Sequence, residues 1–408
     1  MMSPLSLSGE RFTAVYQLAV DAADVEARAR AICLEQTVEF PEELIPSAAI
    51  REQIVGEIAE ITPCRSSELG SAFEVRIRYP IEAAGGELTQ LLNVLFGNIA
   101  LQPGVRLRRV KLPPALLRQF LGPRFGIDGL RQLLAPAAEN TTREQSAQTP
   151  ALARRPLLCT ALKPMGLSPV ELADLAYRLA LGGIDLIKDD HGLTDQPFCR
   201  YDERVARCAE AVQQANAKSG GNSLYLPNVT APATAVAERV ALAKARGAGG
   251  LLFCPGLAGL DTMRALADDE SLALPILSHT ALLGGLSISP NAGIAHGPLF
   301  GTVMRLAGAD ATIFPSFGGR FAFSLDECQE IANAAREPVG ALRPTWPVPA
   351  GGMRLKQVPT LVATYGPDSI LLIGGDLHAG TDLVERCRAF RASVEKSAGV
   401  SLLLDENQ

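Results

Sequence analysis

Gly182-Gly183-Ile184-Asp185-Leu186-Ile187-Lys188-Asp189-Asp190-His191 begins as an apolar run of strand composition and ends in a lysine, two carboxylates and an imidazole. A strand buried on both faces, as in a parallel sheet, reads as a near-continuous hydrophobic run. Ionisable groups at its carboxyl end are costly unless paired, solvated or bound to a metal. A lysine beside two acids also reads as an ion-pair network, so the flanking sequence has to decide.

On both sides of this stretch, short apolar runs alternate with helical segments. Strands are expected at 157–162, 184–187, 224–226, 250–253, 275–277, 311–314, 342–346 and 370–373, with helices at 169–181, 203–218, 231–246 and 383–396 between them. Eight strands with helical crossovers in about 250 residues predict an α/β fold, a (β/α)8 (TIM) barrel. A doubly wound open sheet would show fewer strands and an early GxGxxG turn, which is absent. Before the barrel, residues 1–135 mix strand patterns (12–20, 34–40, 54–63, 72–79, 105–112) with helical ones (24–31, 87–95, 115–121, 129–134). Mixing without regular alternation predicts a small α+β domain. Residues 136–155, rich in Ala, Pro, Thr, Gln and Arg, read as a linker, and 156–408 as the barrel.

The composition limits the possible partners. The chain has 408 residues, 47% hydrophobic and 20% charged, with net charge −6 and no long basic run. Nucleic acid and anionic membranes both require a concentrated positive surface, so neither is expected. No apolar run reaches the ~18 residues of a membrane helix, and no signal-peptide pattern opens the chain. Eight cysteines are scattered without a CxxC pair, as expected of free thiols in a reducing cytoplasm.

Active sites of such barrels lie at the carboxyl ends of the strands. There the sequence places Lys163 after strand one, Lys188-Asp189-Asp190-His191 after strand two and His279 after strand five. Gly318-Gly319-Arg320 follows strand six, Gly351-Gly352 strand seven, and Gly374-Gly375 with His378 strand eight. Glycine pairs after strands seven and eight expose backbone N–H groups where barrels commonly bind phosphate. Lys188, Asp190 and His191 form the candidate metal site. A hard cation such as Mg2+ needs oxygen ligands, and a neutral buried lysine acquires two by reacting with CO2 to form a carbamate. Imidazole is a less usual magnesium ligand, so the presence of a cation is better specified than its identity. An ordinary Lys188–aspartate ion pair, with His191 hydrogen-bonded at the rim, remains the alternative. Lys163 reads as an acid/base group, a charge for substrate oxygens, or a solvated rim lysine.

These residues resemble a family. Arg155-Pro156-Leu157-Leu158-Cys159-Thr160-Ala161-Leu162-Lys163-Pro164, followed by Gly166-Leu167-Ser168, is similar to the first barrel strand of ribulose bisphosphate carboxylase/oxygenase (RuBisCO) large chains. Gly182 to Asp190 and Gln196-Pro197-Phe198 resemble the strand of its carbamylated lysine. Leu34-Glu35-Gln36-Thr37, Gly97-Asn98, His279, Arg305 to Asp310, Ala350-Gly351-Gly352 and Gly374-Gly375 extend the resemblance along nearly the whole chain. It implies a ferredoxin-like N-terminal domain, a catalytic barrel and a homodimer in which Glu35 and Asn98 serve the neighbouring subunit's site. Where carboxylases carry a second lysine, a carboxylate ligand, an arginine, a histidine, a lysine and a serine, this chain has Met165, His191, Thr280, Ile313, Arg320 and Ala350. That pattern resembles the non-carboxylating RuBisCO-like proteins. The resemblance implies Mg2+-assisted enediolate formation on a small phosphorylated keto sugar or 3-oxo sugar acid, then isomerisation or C–C cleavage without CO2 fixation. Enolisation or isomerisation of methylthio-ketose phosphates and a catalytically silent regulatory dimer are the alternatives. With Thr280 in place of an arginine, one phosphate is expected rather than two, leaving Arg320 to hold a carboxylate.

Overall fold

The computed structural model describes residues 5–67, 70–135 and 155–399. The linker expected at 136–155 thus lies, save for Arg155, outside the described residues. Among the described residues the strands form two sheets.

The first contains β1 (Arg11–Ala19), β2 (Glu57–Ser67), β3 (Gly70–Pro80) and β4 (Val105–Lys111), in order 4-1-3-2 and antiparallel. Helices α1 (Val25–Glu35) and α2 (Leu88–Phe96) complete a βαββαβ, ferredoxin-like unit. Alternation along β1 buries Phe12, Ala14, Tyr16 and Leu18 on one face. The strand expected at 34–40 does not form. The helix α1 runs on through Glu35, and its end closes with Val38 and Glu39 N–H groups on the Leu34 carbonyl. Local helical hydrogen bonding there prevails over β-propensity.

The second sheet is parallel: β5 (Leu157–Leu162), β6 (Leu186–Asp189), β7 (Leu224–Leu226), β8 (Leu251–Phe253), β9 (Ile276–Ser278), β11 (Ala311–Pro315), β12 (Trp346–Ala350) and β13 (Ile370–Leu372). Bridging of Asn228 to Leu252 joins β7 to β8 and closes the barrel. Strand seven begins four residues later than the 342–346 expected from its apolar run. Leu342 instead closes a turn onto Val339, and Trp346-Pro347-Val348-Pro349-Ala350 pairs with β11. The sequence reading also missed β10 (Gly293–Ile294), which adds in parallel to β4 and joins the barrel segment to the first sheet.

Helix α3 (Gly126–Leu134) packs Ile127, Leu130 and Leu134 against Leu157, Leu186, Leu252, Leu277 and Trp346, which line the barrel interior. One carboxylate fixes it there. Asp310 accepts N–H bonds from Phe125 (2.6 Å) and Gly126 (2.8 Å) at the helix start, and from Ile276 of β9 (2.9 Å). Burial pushes its carboxyl up to about 6, against those three donors. Asp310→Ala leaves them unpaired and is expected to cost about 3 kcal/mol, read as a lowered unfolding temperature. Because the folded-state carboxyl titrates above its unfolded value, stability falls as pH rises from about 4 to 6 through this group. Asp310→Asn should remove that component of the slope; an unchanged slope would refute the assignment.

Candidate active site

Period-two alternation explains how β6 divides its residues. Leu186 faces the barrel interior and Ile187 the surrounding helices. Lys188 therefore points into the barrel and Asp189 out of it. The two are solved differently.

Asp189 is fully buried and saturated. It takes Arg204 Nε at 3.1 Å, Tyr225 Oη at 2.8 Å and the Asn228 N–H at 3.0 Å. Arg204, near the start of α5 (Tyr201–Ser219), also donates to the Thr194 and Cys199 carbonyls. This network ties strand two to the loop that follows it, and sequence reading missed it. The signal was present in the alternation itself, since an outward-pointing Asp189 needs a cation from the following helix.

Lys188, 2% exposed, has no such partner. Among the described residues it forms no ion pair, and Nζ donates to the Asp189 carbonyl at 3.0 Å. The ordinary Lys188–aspartate ion pair considered from sequence is therefore not what forms. Burial, the largest influence, pulls its pKa down, prevailing over the opposing pull of the Asp190 charge, and the nearby Lys163 cation acts with burial. The neighbouring Cys159 is no counter-charge, because burial pushes its thiol up to about 12. The amine is thus biased toward its neutral, nucleophilic form.

Asp190, the next residue, belongs to the mouth. Its Oδ1 lies 3.0 Å from Lys163 Nζ and 3.4 Å from His191 Nδ1. Burial opposes its ionisation, but His191 and Lys163 hold it well below the usual carboxylate range. His191 stacks on His279, with centroids 4.2 Å apart and planes 14° apart, so the loops after strands two and five meet across the mouth. Burial above all pushes His279 down to about 2, so its ring is neutral. Its Nδ1 accepts the Ala281 N–H at 3.1 Å, which leaves the proton on Nε2 as a donor.

The structure thus brings Lys163, Lys188, Asp190, His191 and His279 together. The glycines come together separately. A Cβ at Gly319 would fall 2.3 Å from the Gly351 carbonyl oxygen, and one at Gly352 3.3 Å from the Gly319 Cα, so the loops after strands six and seven touch through backbone. Gly374 and Gly375 face open space. Arg320 is exposed, its guanidinium 5.0 Å above the Phe321 ring. His378 lines, with Lys163, Glu171 and Arg178, a groove of about 490 Å3 on the outer side of strand one's loop. Glu35 and Asn98 lie on the first domain, 3.0 Å apart, and neither bonds to a barrel residue.

Among the described residues no three His, Cys, Asp or Glu side chains are grouped to hold a metal. A divalent cation fits only if Lys188 contributes.

Comparison with known proteins shows which family the chain resembles. Residues 146–395 match the model of the ribulose bisphosphate carboxylase large chain, catalytic domain. The chain is 42% identical to a 5-methylthioribulose-1-phosphate isomerase of Rhodospirillum rubrum, over 95% of this chain and 97% of that one. It is 32% identical to a 2,3-diketo-5-methylthiopentyl-1-phosphate enolase of Geobacillus kaustophilus, over 92% and 90%. The crystal structure of a Rubisco-like protein from Rhodopseudomonas palustris superposes with a TM-score of 0.81 at 39% identity, covering 95% of this chain and 98% of that one.

The buried pair makes a direct prediction. Arg204→Met leaves Asp189 charged and unpaired, and is expected to cost 3–5 kcal/mol in denaturant unfolding, whereas adding Asp189→Leu should recover most of the loss. A single variant as stable as the parent would contradict this.

Proposed function

This chain belongs to the RuBisCO large-chain family, among its non-carboxylating RuBisCO-like members, and we propose that it is an enolising isomerase of a phosphorylated ketose. The observation that carries the reading is Lys188, buried without a counter-ion next to the Lys163–Asp190 pair. Carbamylated Lys188, Asp190 and His191 would hold a divalent cation, Mg2+ being the family's general choice. When bound, the cation polarises two adjacent substrate oxygens and so acidifies the C–H between them.

The remaining work falls to the chain's own side chains. Lys163, half-exposed beside Asp190, would move the proton between the two carbons. Neutral His279 donates its Nε2–H to a substrate oxygen. The backbone of Gly351, Gly352, Gly374 and Gly375 holds the phosphate, with open space at the last two. The relatives' names favour a methylthio-ketose phosphate as substrate. Arg320 favours a second reading, loss of a carboxyl from a 3-oxo sugar-acid phosphate, since its guanidinium has no carboxylate partner among the described residues.

The working unit proposed is a homodimer in the cytoplasm. Glu35 and Asn98 project toward the partner's barrel mouth, and the exposed Phe40, Leu44 and Leu101 nearby in sequence supply apolar contact. The described cysteines are all free, and no described helix is long and apolar enough to cross a membrane.

With 5-methylthioribulose 1-phosphate, bicarbonate and Mg2+ in D2O, NMR should show solvent deuterium entering the carbon beside the carbonyl. Lys188→Ala and Lys163→Ala should slow that exchange by about 10²–10⁴-fold. Exchange at the parent rate in Lys188→Ala would remove the basis of this assignment, and labelled CO2 appearing in 3-phosphoglycerate from ribulose bisphosphate would overturn the non-carboxylating reading.

A further inference from the structure

We propose that His191 is a metal ligand whose nitrogen turns this site from Mg2+ toward a first-row transition cation, with Mn2+ as its representative. The inference rests on the reading of Lys188 and Asp190 above and adds the class of cation.

Geometry places the imidazole for ligation. His191 Nδ1 stands 3.4 Å from Asp190 Oδ1, longer than a good N–H···O bond. Two atoms bound side by side to one cation at ~2.1 Å are about 3 Å apart, close to this separation. The ring is also held in place. His279 stacks on one face at 4.2 Å, and Asn228 Nδ2 donates to the His191 carbonyl at 2.9 Å. The turn is closed by the Leu193 N–H on the Asp190 carbonyl, 2.9 Å. Next to it, a Cβ on Gly192 would meet Met165 Cε at 2.6 Å, so the loop packs under the Met165 side chain.

Among the described residues of this chain, no further carboxylate groups with Asp190 and His191. Asp189, the nearest other acid in sequence, is committed to Arg204, Tyr225 and Asn228 on the far side of the strand. The side-chain donors around the cation are then two oxygen groups and one imidazole. Mg2+ takes oxygen ligands in a near-ideal octahedron and accepts nitrogen poorly, whereas first-row transition cations accept imidazole readily. Mn2+ accepts both donor types, suits the carboxylates and is paramagnetic.

The test titrates the intact protein with Mn2+ in bicarbonate buffer, reading bound metal by electron paramagnetic resonance and ligand nitrogen by electron spin-echo modulation. The expected result is ¹⁴N coupling to bound Mn2+, lost in His191→Glu and retained in His279→Gln. By competition, the Mn2+ over Mg2+ affinity ratio should fall at least about tenfold in His191→Glu. The spin-echo measurement on the parent protein does not depend on whether the variants fold. Bound Mn2+ without nitrogen coupling, or with coupling that disappears only in His279→Gln, overturns this inference and leaves the reading of Lys188 standing. Binding of Mg2+ without Mn2+ by the parent protein overturns this inference alone, and binding of neither cation overturns both.

Discussion

The site depends on the cost of holding an ammonium group where Lys188 sits. An uncompensated ion in a protein interior costs several kcal/mol even after relaxation. The usual remedy, a carboxylate at contact distance, is withheld on both sides. Asp189 is turned outward onto Arg204, and Asp190 is engaged by Lys163. The remedy left is to lose the proton, and a neutral amine at the mouth of a barrel is a nucleophile. Adjacent residues on one strand thus meet opposite fates: a charge fully satisfied in the core, and a charge discouraged at the site. If Asp189 faced the barrel, the lysine would have its counter-ion and the amine would lose its reactivity.

Asn228 connects this local electrostatics to the fold. Its backbone closes the barrel against Leu252, and its N–H supplies one of Asp189's three bonds. Its side chain spans the carbonyls of His191 and Leu193 and accepts the Thr230 N–H. Barrel closure, the buried acid and the loop carrying the imidazole therefore share one residue. Precise placement of a loop that carries functional side chains needs support from groups outside the site itself. Here that support comes from the junction that closes the sheet, so the loop's position is fixed by the barrel's own register.

Much of this was legible in the sequence, for definite reasons. Parallel strands are buried on both faces, so their apolar runs stand out, and the polar residues that end them mark the mouth. Lys188, Asp190, His191 and His279 were visible on that ground alone. Strand seven was misplaced because Leu342 and Trp346 bracket an apolar run whose first half is a turn, and the prolines at 347 and 349 look like strand breakers. The strand at 34–40 was read from β-propensity where a helix end wins. Partnerships across the fold were less legible. That Lys163 rather than Lys188 pairs with Asp190 depends on which way each side chain points at a strand end, and no spacing along one segment encodes it. The Asp310 staple joins residues about 185 positions apart, and β10 is two residues long, too short for any periodicity.

The mouth of the barrel is chemically lopsided, and that lopsidedness constrains what it can process. Strands one, two and five supply the titratable Lys163, Lys188, Asp190, His191 and His279. Strand six contributes none from its interior face, since Ile313 packs with Trp346 and Val348 in the barrel core. Strands six, seven and eight present glycine backbone instead. On the function proposed above, a substrate would lie across the mouth, with its oxygen-rich carbons over Lys163 and Lys188 and its anionic end over the glycines. Such a layout has one anchor for phosphate and one region for proton transfer. In that proposed reading, Thr280 stands where the resemblance implies a second anchoring cation, so a second phosphate would depend on the exposed Arg320 alone. A charged group buried without a partner costs several kcal/mol, which favours a ketose phosphorylated at one end as the proposed substrate.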